Sequence, residues 1–228
     1  MLKKTQGIVI SYIKYRETSI IVRIFTRELG LKTYIVNGVR SSKSKSKIAL
    51  YQPLTLLDLV VYDKEGASIS RISEARLDYP FQRIPFDFYR SGVALFMGEV
   101  LGKAIFENYQ NESLFDFLQQ SVMYLDNDHV RLGIYPISFL LQLSLFLGFG
   151  SSNAGEFYEQ LQQGAGHIPV DPAERNHLEQ LIASSFDCED KVPSAVRKRL
   201  LNHVLLFYQL HLDTFTEIKS LKVLTQMM

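Results

Sequence analysis

The hydrophobic period of this chain changes at Pro80, and that change constrains the fold more than anything else in it. Before Pro80 the apolar residues come in short, β-branched runs separated by turn signals. Gly7–Tyr15 opens the series and Ser19–Phe25 follows. Glu28-Leu29-Gly30 marks a turn before Leu31–Val36. Leu54–Tyr62, the turn Lys64-Glu65-Gly66 and Ser68–Ile72 complete the set. Five strands with short turns and one longer polar loop predict a small closed barrel, which leaves no long edge uncovered.

After Pro80 apolar residues recur at spacings of three and four, as one face of a helix requires. Helices are expected over Pro85–Glu107, over Ser113–Leu125 with Ser113 as N-cap, and over Arg131–Leu147, ending at Gly148. Ala154–Gln162 forms a short helix. Asp171-Pro172-Ala173-Glu174 reads as a capped start for Ala173–Ser184. Pro193 and Ser194 open a last helix running to about Phe215. The expected fold class is therefore α+β, with a five-stranded barrel over residues 1–80 and an all-α domain over 81–228. The Gly- and Ser-rich stretch Gly148–Asp171 is expected to be a partly mobile connector.

Charge divides the chain at the same place. Residues 1–80 hold 14 Lys+Arg against 7 Asp+Glu, a net +7, whereas residues 81–228 hold 11 against 17, a net −6. The overall +1 conceals a polarised molecule. The densest feature is Gly38–Lys47, GVRSSKSKSK, with four cations and no acid. A basic β module on an acidic remainder suggests binding of a polyanion.

Other function classes find little support. The sequence has no phosphate-cradling G-x-x-x-x-G-K-[ST] loop and no H-E-x-x-H. His203 and His211 lie two helical turns apart, too far for one metal without a third element. Asp126 and Asp128 flank Asn127 in a turn, where helix capping is the expected role. Cys188 is the only cysteine, so no internal disulfide or thiolate metal site can form from it alone, and a reducing cytoplasm is expected. No long apolar signal core follows Leu2-Lys3-Lys4. Leu132–Phe149 is apolar but at the lower limit of spanning length, about 18 residues, and carries Pro136 and Gln142; a buried central helix is expected, and no membrane partner. No catalytic constellation emerges, and neither a cofactor nor a metal is expected.

The cations offer more. Lys and Arg bind polyanions by neutralising phosphates and releasing counterions, which needs charge density rather than a fixed motif. Lys14, Arg16, Arg23, Arg27, Lys32 and Arg40 sit on or beside strands, and Lys43, Lys45 and Lys47 in the polar loop. Tyr12, Tyr15, Phe25, Tyr34 and Tyr51 are interleaved with them; aromatic faces between cations suit single-strand binding, although the same rings could fill a small barrel. Arg197-Lys198-Arg199 and the tail Lys219–Leu224 mix cations with aliphatics. They read either as ordinary helix-end charge or as the rim of a groove for an acidic, apolar peptide.

These residues also resemble a known family, the RecO recombination mediators of bacteria. The resemblance is carried by Gly7-Ile8-Val9-Ile10, Tyr15-Arg16-Glu17-Thr18-Ser19, Phe25-Thr26-Arg27-Glu28-Leu29-Gly30 and Asn37-Gly38-Val39-Arg40-Ser41, in that order. Leu50-Tyr51-Gln52-Pro53-Leu54, Leu141–Gly150 and Lys219–Leu224 extend it over nearly the whole chain. It implies an N-terminal OB-fold, a helical C-terminal domain and a non-enzymatic role in DNA repair and recombination. It further implies binding of single- and double-stranded DNA, annealing of complementary strands, recognition of the acidic tail of single-stranded DNA-binding protein, association with RecR, and help in loading RecA. By position, Arg16, Arg27, Lys32, Arg40, Lys43, Lys45 and Lys47 become DNA contacts. Arg131, Leu141, Leu145, Lys219 and Lys222 become candidates for the partner tail, and the expected location is the bacterial cytoplasm at the nucleoid. Many members carry a four-cysteine zinc module after the central helix; here Gly150–Ile168 has no cysteine, so zinc is not expected. The alternative from another class is an RNA-binding OB-fold protein of translation or RNA metabolism, since groove stacking does not by itself separate RNA from DNA.

Overall fold

A computed structural model describes residues 1–41, 47–64 and 66–227. The chain forms two compact units, Met1–Met123 and Tyr124–Met228.

The first unit is built on five strands: β1 (Leu2–Tyr15), β2 (Ser19–Thr26), β3 (Gly30–Val36), β4 (Leu56–Tyr62) and β5 (Ser70–Leu77). They close into a barrel in the order β1-β2-β3-β5-β4. That order is the five-stranded Greek-key barrel of an OB-fold. Closure depends on β1, which is long enough to serve two neighbours. Its first half pairs antiparallel with β4 from Leu2↔Tyr62 to Ile8↔Leu56, and its second half pairs with β2 from Gly7↔Thr26 to Tyr15↔Ser19. A bulge between Val9 and Ser11 bends the strand between these duties. Gly7 belongs to both ladders, and a Cβ there would stand 2.7 Å from both Ile24 and Leu59, so the bend needs a residue without a side chain. The last seam is short: β3 and β5 pair in parallel only at Tyr34↔Ser70 and Ile35↔Arg71.

Alternation fills the interior. Val9, Ile20, Val22, Ile24, Tyr34, Leu57, Leu59 and Val61 point inward, with Val39 and Tyr51 plugging the end. Tyr51 comes from a single 3-10 turn, Lys47–Tyr51, between β3 and β4. Against the outside of the barrel lies α1 (Phe88–Ala104), N-capped by Asp87, whose side chain accepts from Arg90 N at 2.9 Å. Gly98 lets it approach closely, since a Cβ there would meet Ile10 O at 3.3 Å. The next helix, α2 (Glu112–Leu125), is capped by Asn111, which accepts from Leu114 N at 2.9 Å, and not by Ser113 as the sequence suggested.

The second unit is helical. Its centre is α3 (Tyr135–Phe146), buried on nearly every side. It begins four residues later than the periodicity indicated, because Arg131–Ile134 forms a tight turn in which Arg131 O accepts from both Ile134 and Tyr135. Gly148, at φ +87, ends it in the left-handed conformation glycine favours. Around it lie α4 (Ala154–Ala165), α5 (Pro172–Ser184) and α6 (Ser194–His211); a short α7 (Leu221–Met227) follows. Tyr208 of α6 donates to Leu140 O of α3 at 2.7 Å inside the core. Half of the expected connector is thus the helix α4, capped by Asn153, which accepts from Glu156 N. No helix among the described residues is long and apolar enough to cross a membrane.

Candidate nucleic-acid interface

Seven of the nine cations singled out in the sequence lie among the described residues, and they separate into two sets according to their surroundings. Three of them face the helical segment that leaves α1. Arg23, on β2, donates from Nη1 to Gly102 O at 3.0 Å and lies 3.3 Å from Glu107 Oε1. Arg27, just past β2, pairs with Asp116 at 3.1 Å and approaches Glu112 at 3.8 Å. Lys32, on β3, donates to Asn108 Oδ1 at 2.7 Å. These three join the barrel to α1, α2 and the segment between them within the first unit.

The other set gathers at the end of the barrel where the β1–β2 hairpin turns. Lys14 and Arg16 are exposed there. Arg40 belongs to the turn after β3, and its two contacts both reach the hairpin: its N–H donates to Thr18 O at 2.9 Å and its Nη1 to Arg16 O at 3.1 Å. Arg16 itself has φ +50, a left-handed conformation costing a non-glycine residue about 1 kcal/mol. Lys43 and Lys45 lie outside the described residues. Lys47 is exposed and borders a groove of about 370 Å³ with Asn37, Val39, Tyr51, Arg71 and Ile72. The groove lies over the short parallel seam, where β3 and β5 share only two paired positions.

The turn Asn37–Arg40 therefore connects two cationic neighbourhoods: Val39 lines the groove and Arg40 grips the hairpin. Among the described residues, none of Lys14, Arg16, Arg40, Lys47 and Arg71 lies in a salt bridge. The carbonyl contact of Arg40 leaves its charge unneutralised, so it adds to the positive potential at this end. Arg71 was not singled out in the sequence because its surroundings balance: Arg71, Glu74, Arg76 and Asp78 alternate in sign. Its one signal was position, on the outward face of a strand whose neighbour Ile72 points in.

The aromatic residues divide as well. Phe25, Tyr34 and Tyr51 are buried and serve the core. Burial pushes the Tyr34 and Tyr51 hydroxyls up from their ordinary pKa. Tyr15 is half-buried, and the Arg16 guanidinium lies over its ring at 5.2 Å from the centroid.

The candidates for a partner tail are in the second unit. Arg131 is committed to backbone: Nη1 donates to Cys188 O and Nη2 to Asp190 O at 2.8 Å. Leu141 is buried, whereas Leu145, one turn later on α3, is half exposed. Arg131 lies in the turn before α3 and Leu145 in its last turn, so the helix from Tyr135 to Leu145, about 15 Å long, separates them. Lys219 and Lys222 are exposed, with Lys222 at 3.9 Å from Glu217. Among the described residues no group of three His, Cys, Asp or Glu side chains is placed to hold a metal.

Comparison with known proteins gives the barrel and its helices a lineage. A family model described as "Recombination protein O N terminal" matches residues 1–81, and "Recombination protein O C terminal" matches residues 85–153. A protein of Bacteroides fragilis named "DNA repair protein RecO" is 33% identical over 240 residues, covering 100% of this chain and 99% of that protein. The chain belongs to the RecO family. Proteins of the same name from Flavobacterium psychrophilum and Flavobacterium johnsoniae are 35% and 34% identical, each over 98% of both chains.

Proposed function

We propose that this chain is a DNA repair and recombination protein that binds single- and double-stranded DNA at the cationic end of its barrel and anneals complementary strands. The observation that carries the reading is the junction at Arg40. One turn, Asn37–Arg40, gives Val39 to the groove bordered by Lys47 and Arg71 and Arg40 to the hairpin that carries Lys14 and Arg16, on an OB-type barrel of the RecO family. Such an end neutralises phosphates without enclosing bases, which lets two strands approach while their pairing edges stay free. No chemistry on the nucleic acid is required, so the role is that of a mediator rather than an enzyme.

Family membership supports the remainder of the proposal. The chain joins RecR, recognises the acidic tail of single-stranded DNA-binding protein and helps RecA load on coated strands, at the nucleoid in the cytoplasm. Residues 1–80 act as the nucleic-acid module and residues 81–228 as the helical domain. Because Arg131 is tied to Cys188 and Asp190, the cationic side of a tail site rests on the exposed Lys219 and Lys222, and its apolar side on the exposed Leu145.

The test is binding of the whole chain to a labelled single-stranded oligonucleotide across a salt series. Replacing Arg40, Lys43, Lys45 and Lys47 together by Ala is expected to weaken binding. The log–log salt slope should fall by about 0.7 for each lost phosphate contact. Unchanged affinity and slope would remove this end of the barrel from the interface. A strong preference for RNA over DNA of matched sequence would move the protein to RNA metabolism instead.

A further inference from the structure

The β1–β2 hairpin turns through Arg16-Glu17-Thr18, and a left-handed residue is needed at its first position. Turns that need φ > 0 ordinarily use Gly or Asn, which adopt it cheaply. Here the position holds Arg16, and a second arginine is used to keep it there. Arg40 anchors the same turn twice, through its N–H to Thr18 O and its Nη1 to Arg16 O. Glycine at position 16 would make the turn without that help, so stability alone does not account for the arrangement. What the left-handed arginine achieves is the placement of its guanidinium over the Tyr15 ring.

We propose that Tyr15 and Arg16 form a nucleobase-stacking platform at the hairpin tip, and that Arg40 is the positioning residue that holds it. The inference rests on the DNA-binding reading given above and adds to it the place where a base is received. The Arg16 Cζ lies over the ring and the Arg16 side chain is exposed, so the supported guanidinium is accessible to a base. A planar cation on an aromatic support accepts any of the four bases, since each has a π face. Exposed Lys14, two residues earlier, and the charge of Arg40 serve the phosphates on either side. The platform is therefore sequence-tolerant and specific for unpaired bases, as a protein handling single strands needs.

The chain contains no tryptophan, so Tyr15→Trp installs a single fluorescent reporter at the platform. The whole Tyr15→Trp protein is titrated with an end-labelled oligothymidylate at low salt, following tryptophan emission and label anisotropy together. Emission is expected to fall in step with the rise in anisotropy. Arg16→Gly in this background suits the backbone and should melt at the same or a higher temperature. It should nevertheless lose the quench and bind about tenfold more weakly, the effect of one lost stacked base. Arg40→Lys keeps the charge and loses the planar fork; it should reduce the quench and leave the salt slope unchanged. Full anisotropy without a change in emission overturns the platform and leaves DNA binding standing. Absence of any anisotropy change in the native protein instead defeats the DNA-binding reading itself. An Arg16→Gly protein that binds as tightly as the native one also overturns the platform, and an Arg40→Lys protein with a full quench overturns the positioning role.

Discussion

Arg27 donates from Nη2 to Asp116 Oδ2 at 3.1 Å, and with that contact a cation of the barrel becomes part of the packing between β2 and α2. Arg23 does the same for α1, donating to Gly102 O in the last helical turn, where carbonyls lack partners within the helix. Arg27→Ala and Arg23→Ala are therefore expected to lower stability by about 1 kcal/mol each and to leave the salt slope of DNA binding unchanged. Denaturant unfolding and oligonucleotide titration on the same variants check both halves. A variant of normal stability with a shallower slope would return that arginine to the interface.

Gly30 governs the same junction from the backbone. It has φ +71, and a Cβ there would collide with the Tyr109 peptide, 2.7 Å from its carbonyl carbon and closer still to its oxygen. Next to it Leu31 N donates to Tyr109 O at 3.2 Å and Asn108 N to Leu31 O at 2.9 Å, so the segment after α1 docks on β3 through main-chain bonds. Gly30→Ala adds both a left-handed penalty and the loss of these bonds, together roughly 3 kcal/mol. A drop in Tm of only a degree or two would show that the segment can retreat without cost.

Much of this was legible beforehand, for a physical reason: Ile20, Val22 and Ile24 of β2 and Leu57, Leu59 and Val61 of β4 are alternate apolar residues facing the core, so that period is in the sequence, whereas β1 begins at Leu2, ahead of the Gly7 its apolar run suggests. β5 was read as Ser68–Ile72 and runs Ser70–Leu77, because Ser73, Glu74 and Arg76 are exposed and give no apolar rhythm. The strand order was not legible in the residues themselves and came only with the OB-fold that the family resemblance implied. It depends on a bulge at Val9–Ser11 and on a two-residue parallel seam, which are matters of backbone geometry. The short α7 escaped notice because Leu224 is its one buried residue among those described. At the interface, charge density revealed the cations but could not sort them. The partners that engage Arg23, Arg27 and Lys32 lie between 76 and 89 residues away along the chain.

The connector after α3 has no cysteine between residues 150 and 168, and a buried carboxylate holds it instead. Glu174 of α5 is 1% exposed; it accepts from Tyr158 Oη of α4 at 2.8 Å and from Arg199 Nε of α6 at 2.7 Å. His203 Nδ1 lies 2.7 Å from the same carboxylate, outside hydrogen-bond geometry. Tyr158→Phe removes one bond to a buried anion and is expected to cost about 2 kcal/mol. Hydrogen exchange should then quicken in α4 ahead of α3. Equal protection of α4 in the native and Tyr158→Phe proteins would mean that apolar contacts of Phe157 and Leu161 suffice to hold it.

Six tyrosines tie the fold to alkaline pH. Tyr34, Tyr51, Tyr124, Tyr135, Tyr158 and Tyr208 all have their hydroxyl pKa raised, chiefly by burial; for Tyr158 the hydrogen bond to Glu174 adds to it. In the unfolded chain each ionises near pH 10. Above that value the unfolded chain has lost protons that the folded one retains, so it binds fewer protons and stability falls as pH rises. The stabilisation is fully present below about pH 10 and is lost as pH climbs toward the folded values. Absorbance at the phenolate band should show these six tyrosines ionising in one cooperative step that coincides with loss of far-UV dichroism. A smooth titration of all 12 tyrosines with the dichroism intact would contradict the buried placement of these rings.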